Sequence, residues 1–230
     1  MKVIYDIGAN NGSNVPYYLE KCDLVVAVEA NPVLCSYIRN TYTKAIEAGS
    51  LIVEECVITD QVSGQQVPFF IHKENDVLSQ FPRPDDIGNF KEVLLPSRNV
   101  IDIINTHGNP YYIKIDIEHY DQFILACLFK AGIKPKFISA EAHHAEVLEY
   151  MIAAGYQSFK LVGGASVSQN FFNHPIVTDS GTKIYSFPHH SAGPFGEDIP
   201  GPWMNSSFIT NLLKMVGLGW VDIHGTTGGT

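Results

Sequence analysis

The chain starts with a short apolar segment that runs directly into a turn bounded by two glycines. Residues 3–7 are apolar apart from one aspartate, and Gly8 and Gly12 enclose the turn that follows. Residues 13–21 then have amphipathic spacing. A strand, a tight glycine turn and a helix in this order typically bind a nucleotide, because glycine lets a ligand approach the backbone and the helix N-terminus offers free N–H groups. The sequence therefore predicts a nucleotide-binding corner here.

Strands and helices continue to alternate after this corner. Residues 24–29 form a continuous apolar run that ends in an acid, which is typical of a strand buried on both faces of a parallel sheet. A helix is predicted from Pro32 to Ala48, followed by a third strand over residues 51–58. The resulting βαβαβ pattern predicts an α/β fold with a mostly parallel sheet and helices on both faces.

The rest of the chain gives a less regular pattern. Residues 73–97 are rich in Pro, Asp, Asn and Gly and are predicted to be a long surface excursion, which in a compact domain is often functional. Further strands are predicted at residues 66–72, 111–118, 136–142, 157–162 and 183–187, and further helices at residues 100–107, 121–131, 144–154 and 207–216.

The composition changes after Pro188, toward Gly, Pro, His and Ser. We expect residues 1–188 to form the core, and residues 189–230 to form a lid or tail of the same domain. Trp203 and Trp220 in that tail could stack on a sugar ring. The alternatives are an oligomer contact or a tail packed against the core.

Composition and charge exclude several classes of protein. The chain has 230 residues and a formal net charge of -9, which is a poor match for nucleic acid. No apolar run is long enough to span a bilayer, and no signal-peptide pattern is visible, so a cytoplasmic location is predicted. The four cysteines lack CxxC spacing, which favours reduced thiols over a zinc site. The oligomeric state is left open.

Two acidic residues add detail to the predicted nucleotide-binding corner. The segment Asp6-x-Gly8-x-Asn10-x-Gly12 resembles motif I of class I methyltransferases, in which the acid lies near the methionine part of the cofactor. Glu29 ends the second strand, where an acid can accept hydrogen bonds from ribose hydroxyls. A nicotinamide cofactor would use the same geometry. It is disfavoured by Asn10 in place of the middle glycine of the dinucleotide fingerprint.

A motif in the centre of the chain indicates more narrowly which class of protein this is. Residues 114–121, Lys-Ile-Asp-Ile-Glu-His-Tyr-Asp, resemble the K-x-D-x-E-G-x-E motif of FkbM-type methyltransferases. The segments 6–12, 25–32 and 95–104 also resemble that family, and together the resemblance covers about residues 3–160. It implies a Rossmann-like class I methyltransferase fold and transfer of methyl groups from S-adenosylmethionine, mostly to hydroxyl oxygens of sugars and natural products.

The chain departs from this motif at two positions. His119 stands where the family usually has Gly, and Asp121 stands in place of Glu. If that backbone position requires a positive φ, His is a costlier occupant than Gly. A non-catalytic module that binds cofactor or glycan therefore remains an alternative to an O-methyltransferase and to an NAD(P)-dependent oxidoreductase.

The expected site residues follow from the motifs and from the predicted strand ends. S-adenosylmethionine is expected to contact Asp6, Gly8, Asn10, Gly12, Glu29, Ala30, Val57 and Asp116. O-methylation needs a group that takes the proton of the acceptor hydroxyl. The candidates at the carboxyl ends of the strands are Asp116, Glu118, His119, Glu141 and His143, and imidazole titrates near neutrality. A divalent metal held by Asp116, Glu141 and His143 is a less favoured alternative.

Overall fold

The computed structural model describes residues 1–228, in which twelve strands and eight α-helices form. The strands are β1 (Val3–Ile7), β2 (Leu24–Glu29), β3 (Leu51–Glu55), β4 (Val57–Thr59), β5 (Gln66–His72), β6 (Phe90–Asn99), β7 (Pro110–Ile115), β8 (Phe137–Ala142), β9 (Ser158–Gly163), β10 (His174–Thr178), β11 (Gly181–Tyr185) and β12 (Gly219–Thr226). The helices are α1 (Val15–Leu19), α2 (Pro32–Thr41), α3 (Thr43–Glu47), α4 (Val100–His107), α5 (Asp121–Lys130), α6 (Glu146–Ala153), α7 (Val167–Asn170) and α8 (Ser206–Val216).

A seven-stranded sheet forms the centre of the molecule, with the order β3-β2-β1-β7-β8-β12-β9. Its first five strands in this order pair in parallel, and β12 is antiparallel to both of its neighbours. Strand order reverses between β1 and β7, and in such sheets ligands bind at the carboxyl ends of the strands on either side of the reversal. The mostly parallel α/β fold is as predicted.

Helices cover both faces of this sheet. Helices α4, α5, α6 and α8 pack with the apolar side chains of one face, including Ile113 and Ile115. Helices α1 and α2 pack on the other face, together with apolar residues from 162–199. The core therefore has two layers, separated by a sheet in which β1, β2 and β8 are buried along their whole length. Among the described residues, no helix combines the length and the apolar character needed to cross a membrane.

One predicted strand and one predicted helix are each split into two separate elements in the structure. The strand predicted over residues 51–58 separates into β3 in the central sheet and β4 in a separate three-stranded sheet of order β4-β6-β5. The helix predicted over residues 32–48 breaks at Tyr42, whose hydroxyl donates a hydrogen bond of 2.9 Å to the backbone oxygen of Gly12. That bond fixes Tyr42 outside both helices and against the first turn.

The predicted excursion over residues 73–97 is wrong for its second half. Residues 90–99 form β6, which pairs with β5 in antiparallel register from His72 and Phe90 to Gln66 and Pro96. Its alternate residues Val93 and Leu95 pack in a small core with β4 and β5, while the intervening side chains are exposed. This alternation was obscured by the polar residues and by Pro96. Residues 75–89 remain irregular apart from two short 3-10 turns.

The C-terminal region also differs from the prediction of a lid. Residues 219–226 form β12, which lies inside the central sheet. Residues 191–196 are buried on the sheet face, where the ring of Phe195 stacks on that of Tyr112 with centroids 4.0 Å apart. The strand predicted at residues 183–187 forms as β11, but it pairs with β10 in a separate two-stranded sheet and does not belong to the central sheet. These parts complete the core, as in the packed-tail alternative that the sequence left open.

Candidate active site

The carboxyl ends of β1, β2, β7 and β8 surround a cavity of about 330 Å³. Its walls come from the glycine turn after β1, the end of β2, the loop after β7 and the end of β8. Residues 75–79 of the irregular excursion close one side of it, as a functional excursion would. This is the position that the strand order predicts for a ligand.

The glycine turn contacts the loop after β7 so closely that no side chain fits between them. Gly8 has a φ of 79°, and a Cβ placed on it would lie 1.8 Å from the backbone oxygen of Asp116. The N–H groups of Gly8 and Ala9 both donate to the backbone oxygen of Val28, at 3.0 Å. Asn10 also has a positive φ, 49°, which asparagine tolerates better than most residues. Glycine at position 8 thus allows β1 and β7 to form one wall.

Glu29 links the end of β2 to this turn. Its Oε2 atom accepts the backbone N–H of Asn10 at 2.8 Å, and its Oε1 atom accepts that of Asn31, also at 2.8 Å. Burial raises the pKa of Glu29 to about 7. The side chain lines the cavity, so its remaining lone pairs are available to ligand hydroxyls.

The Lys114 ammonium lies between the carboxylates of Asp6 and Asp116, the two acids of the predicted motifs. Its Nζ atom lies 3.4 Å from Oδ1 of Asp6 and 3.1 Å from Oδ2 of Asp116, and it donates to the backbone oxygen of Gly8 at 2.9 Å. Burial alone would lower the pKa of Lys114, but Asp116, Asp6 and Asp222 together raise it. Burial would likewise raise the pKa of Asp116, but the Lys114 ammonium holds it below its usual range.

Asp6 is completely buried beneath Lys114 and does not line the cavity. Burial raises its pKa, although Lys114 partly opposes this. Gly12 is also absent from the cavity wall, since it packs against Tyr42 and Ile38. Contact of these two residues with the cofactor stays a prediction, and in the structure both lie behind the cavity wall. The other predicted cofactor residues do line the cavity, namely Gly8, Asn10, Glu29, Ala30, Val57 and Asp116.

The candidate catalytic groups converge where β7 and β8 end. His143 lies between two carboxylates, with Nδ1 3.4 Å from Oε2 of Glu141 and Nε2 3.5 Å from Oε2 of Glu118. Burial raises the pKa of Glu118 to about 8, and burial together with Asp116 raises that of Glu141 to about 11. Burial lowers the pKa of His143. All four of these side chains line the cavity.

His119 lies at the rim of this group and is the one predicted catalytic residue outside the cavity wall. Its ring centroid is 4.5 Å from that of His143. Its φ is 64°, and that of Glu118 before it is 45°, so two consecutive residues have left-handed backbone conformations. The predicted strand over residues 111–118 is wrong beyond Ile115, because these conformations take the chain out of the sheet.

Two residues at or beside the cavity were missed by the sequence analysis. Asp222 on β12 is buried and pairs in register with Glu141, and burial raises its pKa well above the usual range. His190 lines the cavity with its ring stacked on that of Trp220, the centroids being 5.8 Å apart. Trp203, by contrast, stacks on Phe137 and does not line the cavity. Only the placement of β12 and of the tail brings Asp222 and His190 to the site.

Comparison with known proteins decides the family. Residues 6–158 match the sequence model described as the methyltransferase FkbM domain. The chain belongs to the FkbM methyltransferase family. The resemblance seen in the three motifs is thereby confirmed, and with it the Rossmann-like class I methyltransferase fold. None of the curated proteins matches the sequence.

Three solved structures are similar to this chain at low sequence identity. Methyltransferase FkbM from Methylobacillus flagellatus KT is 19% identical with a TM-score of 0.48, and the alignment covers 70% of this chain and 39% of that chain. A precorrin-6y C5,15-methyltransferase from Geobacter metallireducens GS-15 is 12% identical with a TM-score of 0.44 and coverages of 99% and 80%. The METTL16 MTase domain is 7% identical, with a TM-score of 0.44 and coverages of 100% and 61%. The chain thus spans well under half of the FkbM structure.

Proposed function

We propose that this methyltransferase uses S-adenosylmethionine and methylates a hydroxyl oxygen of a sugar, a glycan or a related small molecule. The observation that carries the proposal is that one cavity holds both halves of such a site. Gly8, Glu29, Asp116 and His143 all line it, and we assign the first two to the cofactor and the last two to the acceptor hydroxyl. Family membership favours S-adenosylmethionine over a nicotinamide cofactor.

The cofactor side fits the chemistry of a nucleoside. Glu29 retains acceptor capacity for ribose hydroxyls, since each carboxylate oxygen accepts more than the single N–H that it receives here. The apolar residues Val57, Ile58 and Phe69 form an adjoining wall against which a flat adenine ring could pack. Bound there, S-adenosylmethionine would supply the methyl group, while residues of this chain bind it and orient the acceptor.

The acceptor side provides groups that can take a proton. Asp116 is paired with the Lys114 ammonium at 3.1 Å, and the imidazole of His143 lies in the same wall. Either can accept the hydroxyl proton of a suitably placed acceptor. Glu118, His119 and Glu141 complete the catalytic group that we propose. The stacked rings of His190 and Trp220 offer an apolar surface at the same cavity, suited to the face of a sugar ring.

A calorimetric titration with S-adenosylhomocysteine and with NADH tests the cofactor. We expect binding of S-adenosylhomocysteine at one site and no binding of NADH. Binding of NADH alone would support the oxidoreductase alternative and contradict the proposal.

Transfer of a labelled methyl group to a panel of acceptors tests the reaction. Matched alcohols and amines on the same sugar scaffold distinguish O-methylation from N-methylation, with the product identified by NMR. Trp220→Ala should raise KM for a sugar acceptor, whereas Trp203→Ala, outside the cavity wall, is the control. Cofactor binding without transfer to any hydroxylated acceptor would favour a non-catalytic module. The cytoplasmic location and the lack of a nucleic-acid partner remain predictions.

A further inference from the structure

We propose that Glu118, His119 and His143 form a binding site for a divalent transition-metal ion at the edge of the cavity. One carboxylate oxygen and one ring nitrogen from each histidine lie within 4.8 Å of one another. The set differs from the metal ligands that the sequence suggested, because Asp116 and Glu141 group with Glu118 and not with His143. Metal binding at this site can be measured whether or not the proposed function is correct.

The separation of the ligand atoms fits joint coordination better than a direct hydrogen bond. Nε2 of His143 lies 3.5 Å from Oε2 of Glu118. A good N–H···O hydrogen bond is about 2.7–3.2 Å long. Two ligands that each lie about 2.1 Å from a tetrahedral ion are about 3.4 Å apart. The two side chains are therefore spaced as neighbouring ligands of one ion.

The backbone brings Glu118 and His119 to the same place. In an extended chain, adjacent side chains point to opposite faces. Here φ values of 45° and 64° let the ligand atoms of both residues converge on His143. A left-handed conformation costs about 1–2 kcal/mol for a residue other than glycine. A histidine held in that conformation, at the edge of a site and beside a second histidine, indicates that the side chain has a use.

The donor set indicates the class of ion. Two imidazoles and one carboxylate suit zinc and neighbouring first-row metals, whereas magnesium and calcium prefer oxygen ligands. Oε2 of Glu141 lies 3.4 Å from the other ring nitrogen of His143, which is also longer than a good hydrogen bond, so that nitrogen has no hydrogen-bond partner among the described residues. Three protein ligands leave a coordination position open. If the proposed function holds, an acceptor hydroxyl at that position would lose its proton more readily.

Titration of the metal-free full chain with Zn²⁺ in a calorimeter tests the site, with Co²⁺ absorption as a report on coordination geometry. We expect one equivalent to bind. His119→Gly and His143→Ala should each weaken binding at least about tenfold, the range seen when even an outer partner of a ligand is lost. Glycine is chosen at position 119 because it accepts the positive φ.

His144→Ala is the matched control. The ring of His144 lies 5.8 Å from that of His119, but it is not part of the ligand group. Zn²⁺ binding that survives in both His119→Gly and His143→Ala, or that is lost in His144→Ala, would overturn the proposal. A circular-dichroism melt of each variant confirms folding. Titration with S-adenosylhomocysteine separates the two proposals: normal binding of it with no binding of Zn²⁺ rejects the metal site alone.

Discussion

The carboxylate of Glu29 accepts the backbone N–H of Asn10 over 2.8 Å, so the end of the second strand holds the turn after the first. The same side chain lines the cavity. One residue thus fixes the shape of the turn and offers acceptors to a ligand. Removing the Glu29 side chain should therefore weaken ligand binding both by releasing the turn and by removing the acceptors.

Glu29→Ala should weaken binding of S-adenosylhomocysteine about 10- to 100-fold, because a hydrogen bond to a charged group contributes about 1.5–3 kcal/mol. Calorimetric titration measures this. Glu55→Ala is the control, since Glu55 is the register partner of Glu29 on β3 but is exposed and does not line the cavity. Equal affinity in the Glu29 variant and the wild type would refute the site as described.

Gly8→Ala should destabilise the protein more than Gly132→Ala. Both glycines have a similar positive φ, 79° and 76°, so both substitutions introduce backbone strain. A Cβ at Gly8 would overlap the backbone oxygen of Asp116, whereas nothing lies within 4 Å of a Cβ at Gly132. We expect Gly8→Ala to cost about 1–3 kcal/mol more free energy of unfolding, as overpacking typically does. Urea denaturation measures the free energy of unfolding of both variants. Equal losses would show that the contact with Asp116 does not contribute to the cost of Gly8→Ala.

Stability should fall as the pH drops below about 6.5 because of His224. Burial lowers the pKa of this side chain to about 3, and Lys160 on the adjacent strand contributes. The unfolded chain takes up the proton near pH 6.5 while the native state does not, so stability present above pH 6.5 is lost as the pH falls toward 3. The loss at pH 5 should be about 2 kcal/mol.

Melting curves between pH 5 and pH 8 test this. His224→Leu should flatten the dependence in the acidic range, because the variant has no imidazole to protonate. The same substitution at the exposed His189 is the control and should leave the slope unchanged. An identical slope in wild type and His224→Leu would assign the acid sensitivity to other groups.

Asp198 should be essential for holding the tail on the sheet. Its buried carboxylate pairs with Lys21 at 2.7 Å, and it accepts hydrogen bonds from the Tyr17 hydroxyl and the Val177 N–H. Asp198→Ala leaves the partly buried Lys21 ammonium without this partner and should cost about 3–5 kcal/mol. Asp179→Ala removes an ion pair with Lys2 that is exposed and screened by solvent, so this control should lose much less stability. Chemical denaturation that shows equal losses would contradict this assignment.

The corner after β1 was predictable because its determinants are local. Gly8 and Glu29 follow directly from short apolar runs, and the alternation of strands with helices specifies a parallel sheet. The role of Asp6 was not predictable in the same way. Its position at the end of a strand indicates a ligand contact, but the ammonium of Lys114 on the neighbouring strand covers it. That contact depends on the register of β1 and β7, which the sequence does not display.

The elements that were missed depend on long-range pairing. Strand β12 combines glycines, Asp222 and His224 with only a few apolar residues, so its pattern does not indicate a buried strand. Its burial arises from two neighbours distant in sequence, β8 and β9. Strand β6 was obscured in a similar way, since one of its faces is exposed and it has Pro96 near its end. Local patterns predicted Gly8 and Glu29 in the cavity wall, and the sequence also named Trp220, whereas only the topology of the tail places Asp222 beside Glu141 and His190 at the cavity.

The insertion of β12 between β8 and β9 has a consequence for how the protein is made. Chains emerge from the ribosome in sequence order, and domains form as units. Here the gap between two earlier strands stays empty until residues 219–226 have emerged. Strand β8, whose Glu141 lines the cavity, therefore gains its neighbour β12 last. A nascent chain can form the glycine turn early, but the sheet beside Glu141 is complete only after residues 219–226 have been synthesised.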